Sequence, residues 1–239
     1  MSKFSTIRVK VPDLPTPFKS GTYNYSTASV KAANADMLRD IKAKYSSLIT
    51  KWGEVFEIPD GILKGFIATE SGGQMTKPNV YKATGLMQVT PDTVWETGRK
   101  FKSQTGVDLP ESVRTELTKK IPTFFTSKDI KPNAATEKTI LTLLEKDANF
   151  NIMVGTMALR WLLERFSDLR VGQLNKAMVA YNAGAFTKSL NRGTSPITQP
   201  IDTIKLATNP SVPIESRGYL YKMLGKDGFL SLIYKDKVV

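Results

Sequence analysis

Apolar residues recur at three- and four-residue steps through the first half of the chain. Leu38, Ile41, Tyr45, Leu48, Ile49, Trp52, Val55 and Phe56 follow one another in this way. That spacing lines one face of a helix over residues 28–56. Pro59-Asp60-Gly61 breaks it and opens a second helix. There Ile62, Leu63, Phe66 and Ile67 form a stripe that runs into Glu70 and stops at Ser71-Gly72-Gly73. Thr90-Pro91-Asp92 joins a hydroxyl cap, a proline in the first turn and an early carboxylate, the signature of a helix start. Residues 101–146 are punctuated by Pro110, Pro122 and Pro132 and predict two or three short helices, at 111–120 and 137–146. Further amphipathic runs cover 147–166 and 171–183, and a last helix begins at Pro213. Residues 185–212, with Gly193, Pro196, Pro200 and Pro210, predict a loop. Residues 1–27 hold Pro12, Pro15, Pro17 and Gly21 and predict an extended arm, either a flexible leader or a docking strand. The fold class is mostly α, with few if any strands: one helical domain over 28–239 behind an arm.

Composition narrows the chemistry. A chain of 239 residues buries a sizeable core. It contains no Cys and no His, so thiol nucleophiles, Ser-His-Asp catalysis and imidazole- or thiolate-based zinc sites are excluded. Acid or base work falls to Asp, Glu, Lys or Tyr. No metal or cofactor is expected. The formal charge of +12 favours polyanions. The excess is spread along the chain without a dense basic run, so specific nucleic-acid binding is not expected and an anionic wall fits better. No stretch approaches the length of an apolar membrane span, and residues 1–10 lack the apolar core of a secretion signal.

Glu70 departs from the pattern of the other carboxylates. It follows Phe66 by four residues and Ile67 by three, so it shares their apolar face. It also sits in the last turn, where unpaired carbonyls make the potential negative. Both surroundings disfavour the ionised form and predict a raised pKa. A carboxyl neutral near pH 7 can donate a proton to a glycosidic oxygen. Read alone, the same residue is better explained as a helix boundary beside glycine.

Its context is more specific. Glu70-Ser71-Gly72-Gly73 is followed by Gly85-Leu86-Met87-Gln88-Val89-Thr90-Pro91-Asp92-Thr93. Then come Asn151-Ile152-Met153-Val154-Gly155, Ala180-Tyr181-Asn182-Ala183-Gly184, and Pro213-Ile214-Glu215-Ser216-Arg217-Gly218-Tyr219-Leu220. The set, in this order over residues 35–225, resembles the soluble lytic transglycosylase family, relatives of goose-type lysozyme. The resemblance implies a lysozyme-like helical domain. It also implies cleavage of the bond between N-acetylmuramic acid and N-acetylglucosamine in peptidoglycan, with formation of 1,6-anhydro ends and no cofactor.

The resemblance assigns roles residue by residue. Glu70 becomes the single acid and base, and the Tyr181 hydroxyl a partner that orients it and stabilises developing positive charge. Ser71 is either a catalytic neighbour or a local cap. Gly85 lets backbone approach the sugar, Met87 gives a soft apolar wall or ordinary core, and Gln88 binds hydroxyl or acetamido groups. Asn182 lies at the helix end, as a substrate contact or a structural residue. Gly155 implies close helix packing, and Glu215 with Arg217 a cap and a structural ion pair. Two departures stand out. Asn79-Val80-Tyr81-Lys82-Ala83-Thr84 replaces the family's Ser-Pro-x-Gly-Ala stretch, and residues 101–146 are longer than the usual connection, as a cleft wall or a docking surface. A hydrolytic muramidase and a non-catalytic wall-binding virion protein remain as alternatives. A wall enzyme without a secretion signal is expected on a phage virion, in the tail or among internal proteins, opening the wall during genome entry, or as a released lysis enzyme.

Overall fold

The computed structural model describes residues 4–7, 9, 11–14, 19–20, 23–24, 28–167, 170–193 and 195–235. Among them the helices are α1 (Ala28–Phe56), α2 (Asp60–Ser71), α3 (Pro91–Thr105), α4 (Glu111–Lys120), α5 (Ala134–Lys146), α6 (Ala148–Arg165), α7 (Leu174–Ala183), α8 (Thr203–Thr208), α9 (Ile214–Leu224) and α10 (Phe229–Tyr234). Three two-stranded pairings accompany them. β1 (Phe4–Ile7) runs parallel to β4 (Arg170–Gly172), β2 (Lys19–Ser20) pairs with β3 (Tyr23–Asn24), and β5 (Asn191–Arg192) pairs with β6 (Ser195–Pro196). The mostly α class predicted from the sequence is the class observed.

α6 organises the interior. Residues 150–164 are buried around the whole circumference of the helix, including Leu159, Leu163 and the polar Asn151, Thr156, Arg160 and Glu164. A helix apolar or internally paired on every face belongs in the centre of its domain. α1, α3, α5 and α7 all pack on it. Its buried charge is neutralised locally: Arg160 Nη2 pairs with Glu164 Oε1 at 2.8 Å, and Arg160 Nη1 with Glu57 Oε2 at 2.9 Å. α2 packs on α1 and also on α9 and α10. α9 thereby reaches the end of α2 where Glu70 lies, and α10 covers its first half.

Helix starts follow their caps. The Thr90 hydroxyl accepts the Thr93 N–H at 3.1 Å and begins α3, as the sequence predicts. α5 starts three residues before the predicted Glu137, because the Asn133 side chain accepts the Thr136 N–H at 3.0 Å. Residues 171–172 belong to β4 and Gln173 is the N-cap, so α7 starts only at Leu174. Within the predicted loop 185–212, Asp202 Oδ1 accepts the Ile204 and Lys205 N–H groups and starts α8.

The long middle segment belongs to the core. Leu117 and Phe124 are fully buried, and a Cβ added at Gly98 of α3 would stand 2.7 Å from the Phe124 ring. The described part of residues 1–27 is extended, with Leu14 buried and Ile7, Val9 and Val11 against the core. The rest of that predicted arm lies outside the described residues.

Candidate active site

Glu70 occupies the last turn of α2. Gly72 stops the helix at φ +61°, a left-handed conformation that glycine adopts without a Cβ clash, and its N–H caps the Ala68 carbonyl. The chain then turns, and the Gly85–Gln88 loop comes back to the helix end. Ser71 Oγ donates to the Leu86 carbonyl at 2.8 Å and to Ile67 O at 3.2 Å. Ser71 therefore fastens the loop to the helix; of the two roles open for it, the structure shows the local one.

The carboxyl is half-buried beside two phenols. Tyr219 of α9 donates its hydroxyl to Glu70 Oε1 at 2.7 Å. Phe66, one turn before Glu70, packs against both tyrosines, 5.0 Å from the Tyr181 ring and 6.0 Å from that of Tyr219. Burial raises the Glu70 pKa from 4.5 to about 7, against the Tyr219 hydrogen bond and the Lys222 cation, which pull it down. Both phenols are pushed well up, first by burial and then by the negative charge of Glu70, so both remain protonated donors at neutral pH.

Tyr181 differs from expectation. Its hydroxyl donates to the Met87 carbonyl at 2.9 Å. The phenol bonded to Glu70 is Tyr219, which the sequence reading passed over although it lies in the Pro213–Leu220 block. Ser216 and Tyr219 are three apart on α9, and Ser216 Oγ donates to Asn182 Oδ1 at 2.7 Å, so this helix face looks into the site. Asn182 is itself exposed, with its side-chain oxygen engaged by that bond. Glu215 and Arg217 form no ion pair with each other among the described residues; Glu215 sits exposed in the first turn of α9, where a carboxylate suits the helix dipole.

The Gly85–Gln88 loop is gripped from below. Buried Asn151 donates to Thr84 O at 3.0 Å and Leu144 O at 2.9 Å, and accepts the Met87 N–H at 2.9 Å. Gly85 (φ +76°) faces this amide, since a Cβ there would lie 2.1 Å from Asn151 Nδ2. Gly85 is thus glycine for packing rather than for access to a sugar. Met87 is fully buried, and a Cβ at Gly155 would stand 2.5 Å from its sulfur. Met87 is core, not cleft wall, because α6 takes up its side chain. The packing of Gly155 is against this loop rather than against another helix. Gln88 adopts φ +47°, which costs a non-glycine residue about 1 kcal/mol. Its Nε2 holds that conformation by donating to Thr76 Oγ1 at 2.5 Å and Gly85 O at 2.8 Å.

Gln88 and Tyr181 also line a cavity of about 290 Å³. Thr93, Glu96 and Thr97 of α3 form its polar wall; Ala158, Trp161 and Leu162 of α6 form the apolar one. Phe186, just after α7, also lines the cavity. Glu70 lies outside this lining, but its charge is felt by Tyr181, which is part of it. No group of His, Cys, Asp or Glu able to hold a metal ion occurs among the described residues, and none of their helices is long and apolar enough to cross a membrane.

No curated protein matches this chain. Solved structures similar to it include two lytic transglycosylases. An inactive mutant of the lytic transglycosylase Slt from Pseudomonas aeruginosa shares 20% identity at a TM-score of 0.48, over 82% of this chain and 24% of that one. The 70 kDa soluble lytic transglycosylase from Escherichia coli shares 22% at a TM-score of 0.46, over 84% and 29%. The chain thus spans about a quarter of the length of these two proteins. Residues 47–114, which contain Glu70 and the Gly85–Gln88 loop gathered at the end of α2, match the Transglycosylase SLT domain.

Proposed function

We propose that this chain is a peptidoglycan lytic transglycosylase with Glu70 as its single acid and base. The observation that carries the proposal is the Glu70 carboxyl held by the Tyr219 hydroxyl, with a pKa near 7 set by burial. The groups bearing on its charge are a phenol and the cation of Lys222, not a second carboxylate. A protonated Glu70 gives its proton to the oxygen bridging N-acetylmuramic acid and N-acetylglucosamine as the bond from the anomeric carbon to that oxygen breaks. The resulting carboxylate then accepts the proton of the muramoyl 6-hydroxyl, whose oxygen closes onto the anomeric carbon. Protons balance, the carboxyl is restored, and no water is consumed. Tyr219 engages Oε1 and leaves Oε2 for the glycan, and the Met87 carbonyl holds the Tyr181 ring against Phe66.

Mass spectrometry of digested murein tests this. Fragments with 1,6-anhydro ends, one water lighter than reducing ends, are expected; reducing ends would instead identify a hydrolytic muramidase. Carriage to the wall on a phage particle, for genome entry, belongs to the same proposal. The formal charge of +12 suits an anionic wall. Recovery of the protein from purified virions checks it, and confinement to host membrane or cytoplasm counts against it.

Tyr219→Phe separates the two tyrosines. Its hydrogen bond favours ionised Glu70, so its loss raises the carboxyl pKa further. The alkaline limb of the kcat profile is expected to move up by about one pH unit, a charged hydrogen bond being worth about 1.5–3 kcal/mol. The rate at the optimum should fall roughly 10-fold as the carboxyl loses its orientation. A profile unchanged in both position and height would remove Tyr219 from the mechanism.

A further inference from the structure

Phe186 is a large apolar side chain left 51% exposed. A single exposed phenylalanine is ordinary on a protein surface. This one is braced by a dedicated arrangement. Buried Asn191 donates through Nδ2 to the Ala185 carbonyl at 3.0 Å and to the Thr187 carbonyl at 2.8 Å, the two carbonyls that flank Phe186. Arg165 Nη2 donates to Asn191 Oδ1 at 3.0 Å, and the same guanidinium lies 4.5 Å from the centre of the Phe186 ring. The loop is therefore fixed on both sides of the residue, and the ring itself is fixed from α6 by a cation–π contact. The ring so held borders the cavity shared with Tyr181 and Gln88.

The cavity has the two-sided character of a pyranose. A sugar ring offers apolar C–H groups on its faces and hydroxyls around its edge. Trp161, Leu162 and Phe186 supply apolar surface to the lining, while Gln88, Thr93, Glu96 and Thr97 supply hydrogen-bonding groups. We propose that Phe186 is a saccharide-stacking platform that contacts the wall glycan beyond the cleaved bond, with Asn191 and Arg165 as its positioning residues. This rests on the reading of the site as glycan-cleaving. A preset ring loses little freedom when a sugar lands on it, so the bracing raises affinity through preorganisation.

The test measures binding and turnover separately, with the full chain. In the Glu70→Gln chain, calorimetry with the N-acetylglucosamine hexamer is expected to show about 10-fold weaker binding for Phe186→Ala, the loss of one aromatic contact. Phe186→Trp should bind as the parent does. With Glu70 intact, soluble uncrosslinked glycan strands should show KM raised about 10-fold by Phe186→Ala and kcat unchanged, the pattern of a contact made equally in ground and transition states. Asn191→Asp keeps the size of the side chain but cannot donate to the two carbonyls. It should weaken binding on its own and add nothing beside Phe186→Ala, since both act through one ring. Should Phe186→Ala bind the hexamer and cleave the strands like the parent, the platform is refuted while the catalytic reading stands. Should no chain cleave strands, yet Phe186→Ala still lose the hexamer, the catalytic reading fails and the platform survives.

Discussion

Glu70→Gln is expected to leave a folded protein that clears murein roughly 10³–10⁴-fold more slowly than the parent. The amide keeps the shape of the carboxyl and can still accept the Tyr219 hydroxyl, so the packing around Phe66 is preserved. It cannot donate a proton to a departing sugar. Parent activity should fall with rising pH through about 7, where Glu70 ionises. Clearing rates for parent and variant on the same murein decide the matter, and equal rates would refute the assignment of Glu70.

The same substitution should change stability in a direction that an ordinary surface carboxylate would not. Unfolded, Glu70 releases its proton near 4.5; folded, it holds it to about 7. Between those values the folded state binds more protons, so stability declines as pH rises. The total decline is at most about 3 kcal/mol by the linkage constant. Glu70→Gln removes that term. Denaturation of both proteins should show the variant more stable than the parent at pH 8 and nearly equal to it at pH 4. Greater loss of stability in the variant at pH 8 than at pH 4 would mean that the carboxyl is not strained by burial.

Much of this site was legible in the sequence, and the rest was hidden for identifiable reasons. Glu70 stood out because a carboxylate had been placed on the stripe of Phe66 and Ile67. α4 was predicted over its observed bounds because Pro110 and Glu111 set its start. α8 was missed because a six-residue helix has too few turns to show a period, although Asp202 was a readable cap. The partnership of Tyr219 with Glu70 spans 149 positions and depends on how α9 docks against α2, which no local pattern encodes. Met87 could be wall or core by composition. The absence of a side chain at Gly155 decided for core, since that gap is where the Met87 sulfur lies. Phe186 carried no signal at all, because its role as a fixed surface ring depends on Asn191 and Arg165 converging from other elements.

The largest loss of stability is expected from Asn151→Leu. Asn151 is fully buried and serves three backbone groups, the carbonyls of Thr84 and Leu144 and the N–H of Met87. Leucine fills similar space and leaves all three without partners in a site closed to water. At about 1–3 kcal/mol for each buried unsatisfied group, a cost of about 4 kcal/mol is expected. The damage reaches the chemistry, because the loop released is the one that Ser71 and Tyr181 hold beside Glu70. At temperatures where the variant is still folded, its activity should therefore fall further than its folded fraction. Gly85→Ala attacks the same joint from the other side, by driving a Cβ into the Asn151 amide at a positive φ. The double variant should lose clearly less than the sum of the single losses, since either change alone already breaks the contact. Urea denaturation of the four proteins measures this. Strict additivity would show that Gly85 and Asn151 do not form one joint, and that the loop is held in place by something other than α6.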